Sequence, residues 1–218
     1  MSLRLQITLP KTEISTYEAP AAECVLTNDG PAVELYKAAG LHGWYFADKD
    51  ETLATVIDRL GQLPLHAHPG EKYQYGYSTD VLGRLVEVIS GMSLDRFFAE
   101  RICGPLKMTD TDFWVPAEKL DRLASNYRTT EDGKLEKVDA PPQTSYAQRP
   151  GFLSGGGGLV STARDYARFA QMLLNGGSLG SARILSPTTV TLMTMSHTAD
   201  LPPGGLLGAG AQWGLGFR

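Results

Sequence analysis

The sequence has little of what nucleic-acid-binding and membrane proteins need. It has 20 Lys and Arg against 24 Asp and Glu, a net charge of −4, and a pI near 5.6. Binding to phosphate backbones needs clustered positive charge, so this balance argues against a DNA or RNA partner. No apolar run reaches the ~18 residues that a membrane-spanning helix requires. We therefore expect a chain that binds neither nucleic acid nor a membrane.

Cysteines, glycosylation sites and a leader are scarce or missing. Cys24 and Cys103 are far apart and show no CxxC spacing, so they could form at most one bridge that the sequence cannot establish. Residues 1–6 carry one basic residue, no long apolar segment and no small-residue cleavage site, so no signal peptide is visible. There is no Asn-x-Ser/Thr sequon. The compartment stays open between cytoplasm and export, and so does the oligomeric state.

What the sequence does contain is typical of a folded globular domain. It has 218 residues, of which 42% are hydrophobic and 20% charged. That length is enough to bury a real core, and the proportions are ordinary for folded proteins. We expect one domain over residues 1–218.

Caps and apolar spacing predict a helix-rich chain. The expected helices cover residues 31–39, then residues 51–60 after an Asp48/Glu51 capping box, 78–90, 93–103, 162–174 and 186–193. Ser78 or Thr79 is the expected cap of the third helix, whose Val81, Leu82, Leu85, Val86 and Ile89 predict a buried face. The Gly104-Pro105 pair is expected to break the fourth.

Strand signals are fewer. Alternation and β-branched residues favour strands at residues 112–115, 134–138 and 213–217. The polar, proline-containing stretch at 131–150 predicts a hairpin followed by a long loop. The chain should therefore be mainly helical with little sheet.

Four stretches, in order along the chain, resemble the class C β-lactamase-like serine hydrolases. Residues 69–83 read PGEKYQYGYSTDVLG and resemble the family's second catalytic motif, a loop Tyr followed by a helix that ends in Ser-Gly, here Ser90-Gly91. Residues 101–111, 154–165 and 184–187 are similar to later stretches of the same family. An ordered set is more specific than any one motif.

The resemblance implies both a fold and a reaction. The fold would be α+β: the helix-rich part of a β-lactamase/transpeptidase-like fold, in which an antiparallel sheet flanked by helices joins a mostly helical domain. The helical region would cover about residues 31–175 of a partial domain. The reaction would be cleavage of a small ester or amide through an acyl-enzyme, in which a Ser attacks, a Lys removes its proton and a Tyr passes that proton to the leaving group. By position, Tyr75 would be that catalytic Tyr.

The sequence departs from the family pattern at three places. No Ser stands three residues before any Lys; Ser93, Ser125 and Ser161 precede Arg at that spacing, and Arg does not readily exchange protons. The family's third motif, Lys or His before a small residue and Gly, is not recognisable. Tyr77 stands where many lactamases carry Asn, which favours ester hydrolysis over β-lactam hydrolysis.

The resemblance also suggests substrate-binding residues beside Tyr75. These are Tyr77, Gly76, which would permit close backbone approach, and Trp44, for which core packing is an equal alternative. His66 and His68 lack further ligands nearby, so we expect no metal, and nothing in the sequence calls for a cofactor.

Two glycine-rich stretches resemble functional motifs of other families, and the scaffold itself allows two alternative functions. Residues 155–158 are expected to form a structural turn, because no phosphate-loop Gly-Lys-Ser/Thr follows. Residues 176–180 match GxSxG but follow a helix, whereas a nucleophile elbow follows a strand. The same scaffold could serve as a non-catalytic binding module, or could transfer an acyl group to an alcohol.

Overall fold

The computed structural model describes residues 38–41, 51–65, 67–68, 71, 76–198 and 212–217. The α-helices in chain order are α1 (Leu53–Leu60), α2 (Ser78–Ser90), α3 (Leu94–Phe98), α4 (Gly104–Leu106), α5 (Ala163–Leu174) and α6 (Pro187–Thr194). Short 3-10 helices cover Ala117–Arg122 and Ser145–Ala147. The strands are β1 (Asn126–Thr129), β2 (Leu135–Asp139), β3 (Ser178–Leu179) and β4 (Ala182–Arg183). The architecture is mixed α+β, and the helix expected at residues 31–39 lies outside the described residues apart from its last two positions.

Helix α1 forms where expected, but its cap differs from the prediction. The Thr52 hydroxyl accepts from the Thr55 amide at 3.2 Å, and the Thr55 hydroxyl accepts from the Thr52 amide at 3.1 Å. These reciprocal bonds form a capping box. The helix therefore starts at Thr52 and not from the predicted Asp48/Glu51 capping box, of which Asp48 lies outside the described residues. Glu51 instead pairs with Arg59, in the last turn of the helix, at 2.6 Å.

Helix α2 has the expected bounds and ends at Gly91, whose φ of 67° fits a left-handed C-cap. Its N-cap is Tyr77, with no side-chain capping bond, and not Ser78 or Thr79. The predicted buried face is confirmed only in part: Val81 and Val86 pack against the core cluster, but Leu82 is 57% and Ile89 is 61% exposed.

The buried side of α2 is formed by Asp80 and Gly83. An added Cβ at Gly83 would lie 3.1 Å from the Gly155 Cα, 3.1 Å from a Leu94 methyl and 3.3 Å from a Leu53 methyl. Glycine at this position thus lets α1, α3 and the Gly155 backbone converge on α2. Apolar spacing alone could not identify this side, because the residues that cover it are distant in sequence.

The chain does not break at Gly104-Pro105. A π-helical turn, Ala99–Cys103, joins α3 to α4, and the Gly104 amide donates to the Ala99 carbonyl. An added Cβ at Gly104 would sit 2.8 Å from that oxygen, so glycine suits the wide turn. Pro105 then occupies the start of α4, where its missing N–H costs little. The helical path ends at Lys107, which has a φ of 55°.

Helices α5 and α6 confirm the sequence expectations. The Thr162 hydroxyl accepts from the Asp165 amide at 3.2 Å, and the Ser186 hydroxyl accepts from the Thr189 amide at 3.0 Å. Each bond satisfies a backbone donor in the first helical turn. These two starts were set by local sequence.

The described residues contain two sheets, each an antiparallel hairpin: β1 with β2, and β3 with β4. The hairpin predicted within 131–150 forms only in part in that range: β2 lies inside it, whereas its partner β1 lies wholly before residue 131. Residues 112–115 form only a bridge from Asp112 to Val160, so the strand predicted there is wrong.

Residues 213–217 do not form the predicted strand either. The Leu215 amide donates to the Met193 carbonyl at 2.8 Å, and the His197 amide donates to the Trp213 carbonyl at 2.7 Å. These bonds attach the segment to the end of α6. No ladder partner lies beside it among the described residues, and a strand needs one.

The two larger apolar clusters support these elements. The first lies between α1, α3 and two loop segments and contains Leu53, Ile57, Leu94, Phe113 and Leu153. The second connects α4 to α5 and contains Cys103, Leu106, Met108 and Met172. The Phe98 ring stacks on Phe113 with centroids 5.9 Å apart and also packs against the second cluster, so it links the two. None of the helices in the described part of the chain has the length and apolar character to cross a membrane.

The second cluster can be tested with one buried and one exposed leucine. Leu106 is 0% exposed and Leu174 is 81% exposed. We expect Leu106→Ala to lower the free energy of unfolding by about 2–5 kcal/mol, because it leaves a cavity. The control Leu174→Ala should change it by less than about 0.5 kcal/mol. Urea unfolding followed by circular dichroism measures both, and equal effects would contradict the assigned core.

Candidate functional site

The structure describes only part of the predicted site. Tyr75 and Trp44 lie outside the described residues, so their catalytic and substrate-binding roles remain predictions. Gly76 and Tyr77 are described and lead directly into α2. Gly76 is exposed, and no described atom lies within 4 Å of an added Cβ.

Tyr77 is held at the start of α2. Its carbonyl accepts from the Val81 amide at 3.0 Å, and its side chain packs against the buried pair Leu41 and Val56. Burial first, and the negative charge of Asp80 second, raise the pKa of the Tyr77 phenol above its ordinary value. Tyr77 is therefore a neutral hydroxyl at physiological pH, suited to hydrogen bonding and packing and not to proton abstraction.

Beside Tyr77, Asp80 joins two of the motif stretches. Asp80 is 6% exposed, and its Oδ1 accepts from the Ser154 hydroxyl at 2.6 Å. The Gly156 amide donates to the Ser154 hydroxyl at 3.0 Å. Residues 154–158, called the glycine segment below, are thus bonded to the first turn of α2. Sequence reasoning missed Asp80 and Ser154, although an acidic residue in the first turn of a helix was visible.

The glycines of this segment permit a backbone-to-backbone contact. An added Cβ at Gly155 would lie 2.1 Å from the Thr79 carbonyl oxygen, which no side chain could tolerate. The segment then reaches Val160, which bridges to Asp112, and Thr162, which caps α5. This course agrees with the prediction of a structural turn over residues 155–158.

A second buried carboxylate, Asp165 on α5, binds another motif stretch. Asp165 is 3% exposed, and its Oδ2 accepts from the Asp110 amide at 2.7 Å and the Thr111 hydroxyl at 3.0 Å. Residues 101–111 and 154–165, both singled out in the sequence, are thereby held together. The buried carboxylate is satisfied by hydrogen bonds, so its role here is structural.

Near Asp165, a cleft is lined by polar groups that already have partners. Asp110 accepts a hydrogen bond from Lys119 at 2.8 Å and forms an ion pair with Arg122 at 2.8 Å. All three residues line the cleft. Arg122 first and Lys119 second hold the pKa of the Asp110 carboxyl well below its usual range. The lining carries two cations, Lys119 and Arg122, and two acidic residues, Asp110 and Asp112, so the cleft offers an anion little uncompensated charge.

The described residues offer few other reactive groups. Burial, followed by the charges of Asp112 and Asp165, raises the pKa of the Cys103 thiol to about 11, so the thiol stays protonated and a poor nucleophile. Ser178 of the GxSxG match lies on β3, which is followed by β4 and not by a helix. Within the described ranges, no three His, Cys, Asp or Glu side chains are placed to hold a metal ion.

Comparison with known proteins agrees with the resemblance carried by these motif stretches. A sequence model of the beta-lactamase family matches residues 35–218, most of the chain. The chain belongs to the beta-lactamase family. Protein Rv1367c of Mycobacterium tuberculosis is 42% identical over 142 residues, which are 65% of this chain and 35% of that protein. A protein of Escherichia coli K12, provisionally named D-alanyl-D-alanine carboxypeptidase, is 30% identical over 80% of this chain and 40% of its own length.

Solved structures share the fold. EstCE1, described as a hydrolase with promiscuous acyltransferase activity, matches with a TM-score of 0.63 and 26% identity over 83% of this chain and 49% of its own. The simvastatin synthase LovD of Aspergillus terreus matches with a TM-score of 0.59 and 23% identity, covering 92% of this chain and 50% of LovD. The α+β, β-lactamase/transpeptidase-like fold expected from the sequence is confirmed. This beta-lactamase family chain spans less than half the length of the curated relatives it matches.

The electrostatic link between Asp80 and Tyr77 can be tested by titration. We expect Asp80→Asn to lower the Tyr77 pKa towards its ordinary value without reaching it, because burial, the larger cause, remains. NMR of chain labelled with ¹³C at the tyrosine ζ carbon measures this, with the signal assigned by Tyr77→Phe. Asp121→Asn, at an exposed aspartate, is the matched control and should leave the Tyr77 pKa unchanged. A Tyr77 pKa that does not respond to Asp80→Asn would disprove the link.

Proposed function

We propose that the protein carrying this chain is an esterase-like serine hydrolase that cleaves a small ester or amide through an acyl-enzyme. In this proposal the chain contributes the catalytic Tyr75, and Tyr77, Gly76 and Trp44 contact the substrate. The observation that carries it is the meeting of two motif stretches far apart in sequence. The glycine segment bonds, through Ser154 and Asp80 at 2.6 Å, to the helix that follows Tyr75.

The reaction needs a nucleophile and a cation that these residues do not provide in the family's form. A phenol with an ordinary pKa of about 10 is a poor base at neutral pH unless a cation stabilises its phenolate. Arg96, three residues after Ser93, does not replace the missing Lys: Glu100 binds it at 2.6 Å and raises its pKa further. We propose that a Ser-x-x-Lys motif outside these 218 residues completes the site, in keeping with the chain's partial coverage of its relatives.

Ester cleavage is favoured over β-lactam cleavage by Tyr77. In place of the Asn of many lactamases, this position carries a neutral phenol packed against Leu41 and Val56. A phenol offers one hydroxyl and an apolar ring, which suit an acyl group better than the amide-rich face of a β-lactam. EstCE1, at 26% identity, is described as a hydrolase with promiscuous acyltransferase activity. Transfer of the acyl group to an alcohol would use the same residues.

A fluorophosphonate probe tests the origin of the nucleophile. We expect no labelling of the 218-residue chain, because no Ser in it is paired with a Lys at the family spacing. A longer product that includes an upstream Ser-x-x-Lys should label at that Ser. If the longer product carries the motif and is not labelled, hydrolysis is excluded and the binding-module alternative is supported.

The role of Tyr75 is tested in the same longer product. Tyr75→Phe should lower kcat for p-nitrophenyl butyrate by about 10²–10⁴, the usual contribution of a general acid or base. Tyr73→Phe, two residues away on the same stretch, is the matched control and should keep wild-type kcat. Equal kcat values for the two variants would remove Tyr75 from the mechanism.

A further inference from the structure

We propose that Asp80 and Ser154 are positioning residues, whose hydrogen bond fixes the first turn of α2 and thereby the placement of Tyr75. This inference rests on the proposed catalytic role of Tyr75. Neither residue is assigned to contact the substrate. Both act through the backbone that they hold.

The bond between Asp80 and Ser154 is short, partly buried and charge-assisted. Oδ1 of Asp80 lies 2.6 Å from the Ser154 hydroxyl, and Asp80 is 6% exposed. A buried carboxylate is costly unless it is hydrogen-bonded, and a hydroxyl that donates to a carboxylate bonds more strongly than to a neutral acceptor. Asp80 also lies in the first turn of α2, where the helix dipole favours negative charge. The arrangement therefore holds the carboxylate in one place.

Backbone packing fixes the same turn from a second direction. At Gly155 an added Cβ would meet the Thr79 carbonyl oxygen at 2.1 Å, and at Gly156 it would meet the Thr79 hydroxyl at 2.8 Å. No described atom lies within 4 Å of an added Cβ at Gly157. The contact is thus confined to the two glycines next to Ser154, and the hydroxyl of Ser154 holds them there through the Gly156 amide at 3.0 Å.

The fixed turn is separated from Tyr75 by very little chain. Helix α2 begins at Ser78, so only Gly76 and Tyr77 intervene. The Tyr77 carbonyl accepts from the Val81 amide at 3.0 Å, which ties the Tyr77 backbone to the same turn. Because proton transfer depends steeply on distance, a displacement of about 1 Å at this turn would be felt at Tyr75, with losses of about 10²-fold known for such shifts.

The hydroxyl of Ser154 is the first target, in the longer, active product. We expect Ser154→Ala to lower kcat for p-nitrophenyl butyrate by about tenfold to hundredfold. Ser154→Thr keeps the hydroxyl and should restore most of kcat. Ser181→Ala, at an exposed serine, is the matched control. An unchanged kcat in Ser154→Ala, or a loss that Ser154→Thr does not repair, would overturn the proposal.

A readout without activity separates this proposal from the function it rests on. In the 218-residue chain labelled at the tyrosine ζ carbons, Ser154→Ala should shift the Tyr75 resonance, and Ser181→Ala should not. If the Tyr75 resonance moves while Tyr75→Phe leaves kcat unchanged in the longer product, positioning holds and the catalytic role fails. If Tyr75→Phe abolishes turnover and Ser154→Ala moves neither kcat nor the resonance, only positioning fails.

A glycine pair gives an independent test of the backbone contact. Gly155→Ala should displace the glycine segment and shift the Tyr75 resonance, because its Cβ has no room. Gly157→Ala, two residues away, should leave the resonance in place. Thermal unfolding of both variants shows whether they are folded. A folded Gly155→Ala chain with a wild-type Tyr75 resonance would contradict the proposal.

Discussion

The hydrogen bond from Ser154 to the buried carboxylate of Asp80 is the constraint on which the arrangement of the site depends. It joins two residues 74 positions apart at 2.6 Å. On one side it holds the glycine segment close enough to touch the α2 backbone, and on the other it places a negative charge beside Tyr77. This one hydrogen bond therefore affects the packing, the electrostatics and the path of the chain near the predicted catalytic Tyr75.

A second buried carboxylate is bound in the same way elsewhere in the fold. Asp165, in the first turn of α5, binds the Asp110 amide and the Thr111 hydroxyl, 55 and 54 positions away. In both cases a carboxylate at the start of a helix gains from the helix dipole and from donors supplied by a distant segment. Both bonds compensate for the cost of burying charge, and both fix a loop against a helix. The loops so fixed are the stretches that resemble the beta-lactamase family.

Membership in that family accounts for the scaffold, whereas the chemistry depends on particular groups. The chain carries a neutral, partly buried phenol at Tyr77 and a protonated thiol at Cys103, and its Ser93–Arg96 spacing ends in a guanidinium engaged by Glu100. None of these supplies the nucleophile that an acyl-enzyme requires. The proposed hydrolysis is accordingly a property of the protein that carries this chain, with Tyr75 as its local contribution.

The sequence by itself determined the helices and several of their ends. Thr162, Ser186 and Gly91 act on backbone groups within a few residues, so their effect can be read from neighbouring positions. Tertiary structure decided which side of α2 is buried, why the helical path continues through Gly104, and that Asp80 meets Ser154. These outcomes depend on surfaces brought together from distant parts of the chain. Apolar periodicity shows only that Leu82 and Ile89 share a face of the helix with other apolar residues. It does not show whether another part of the chain packs against that face.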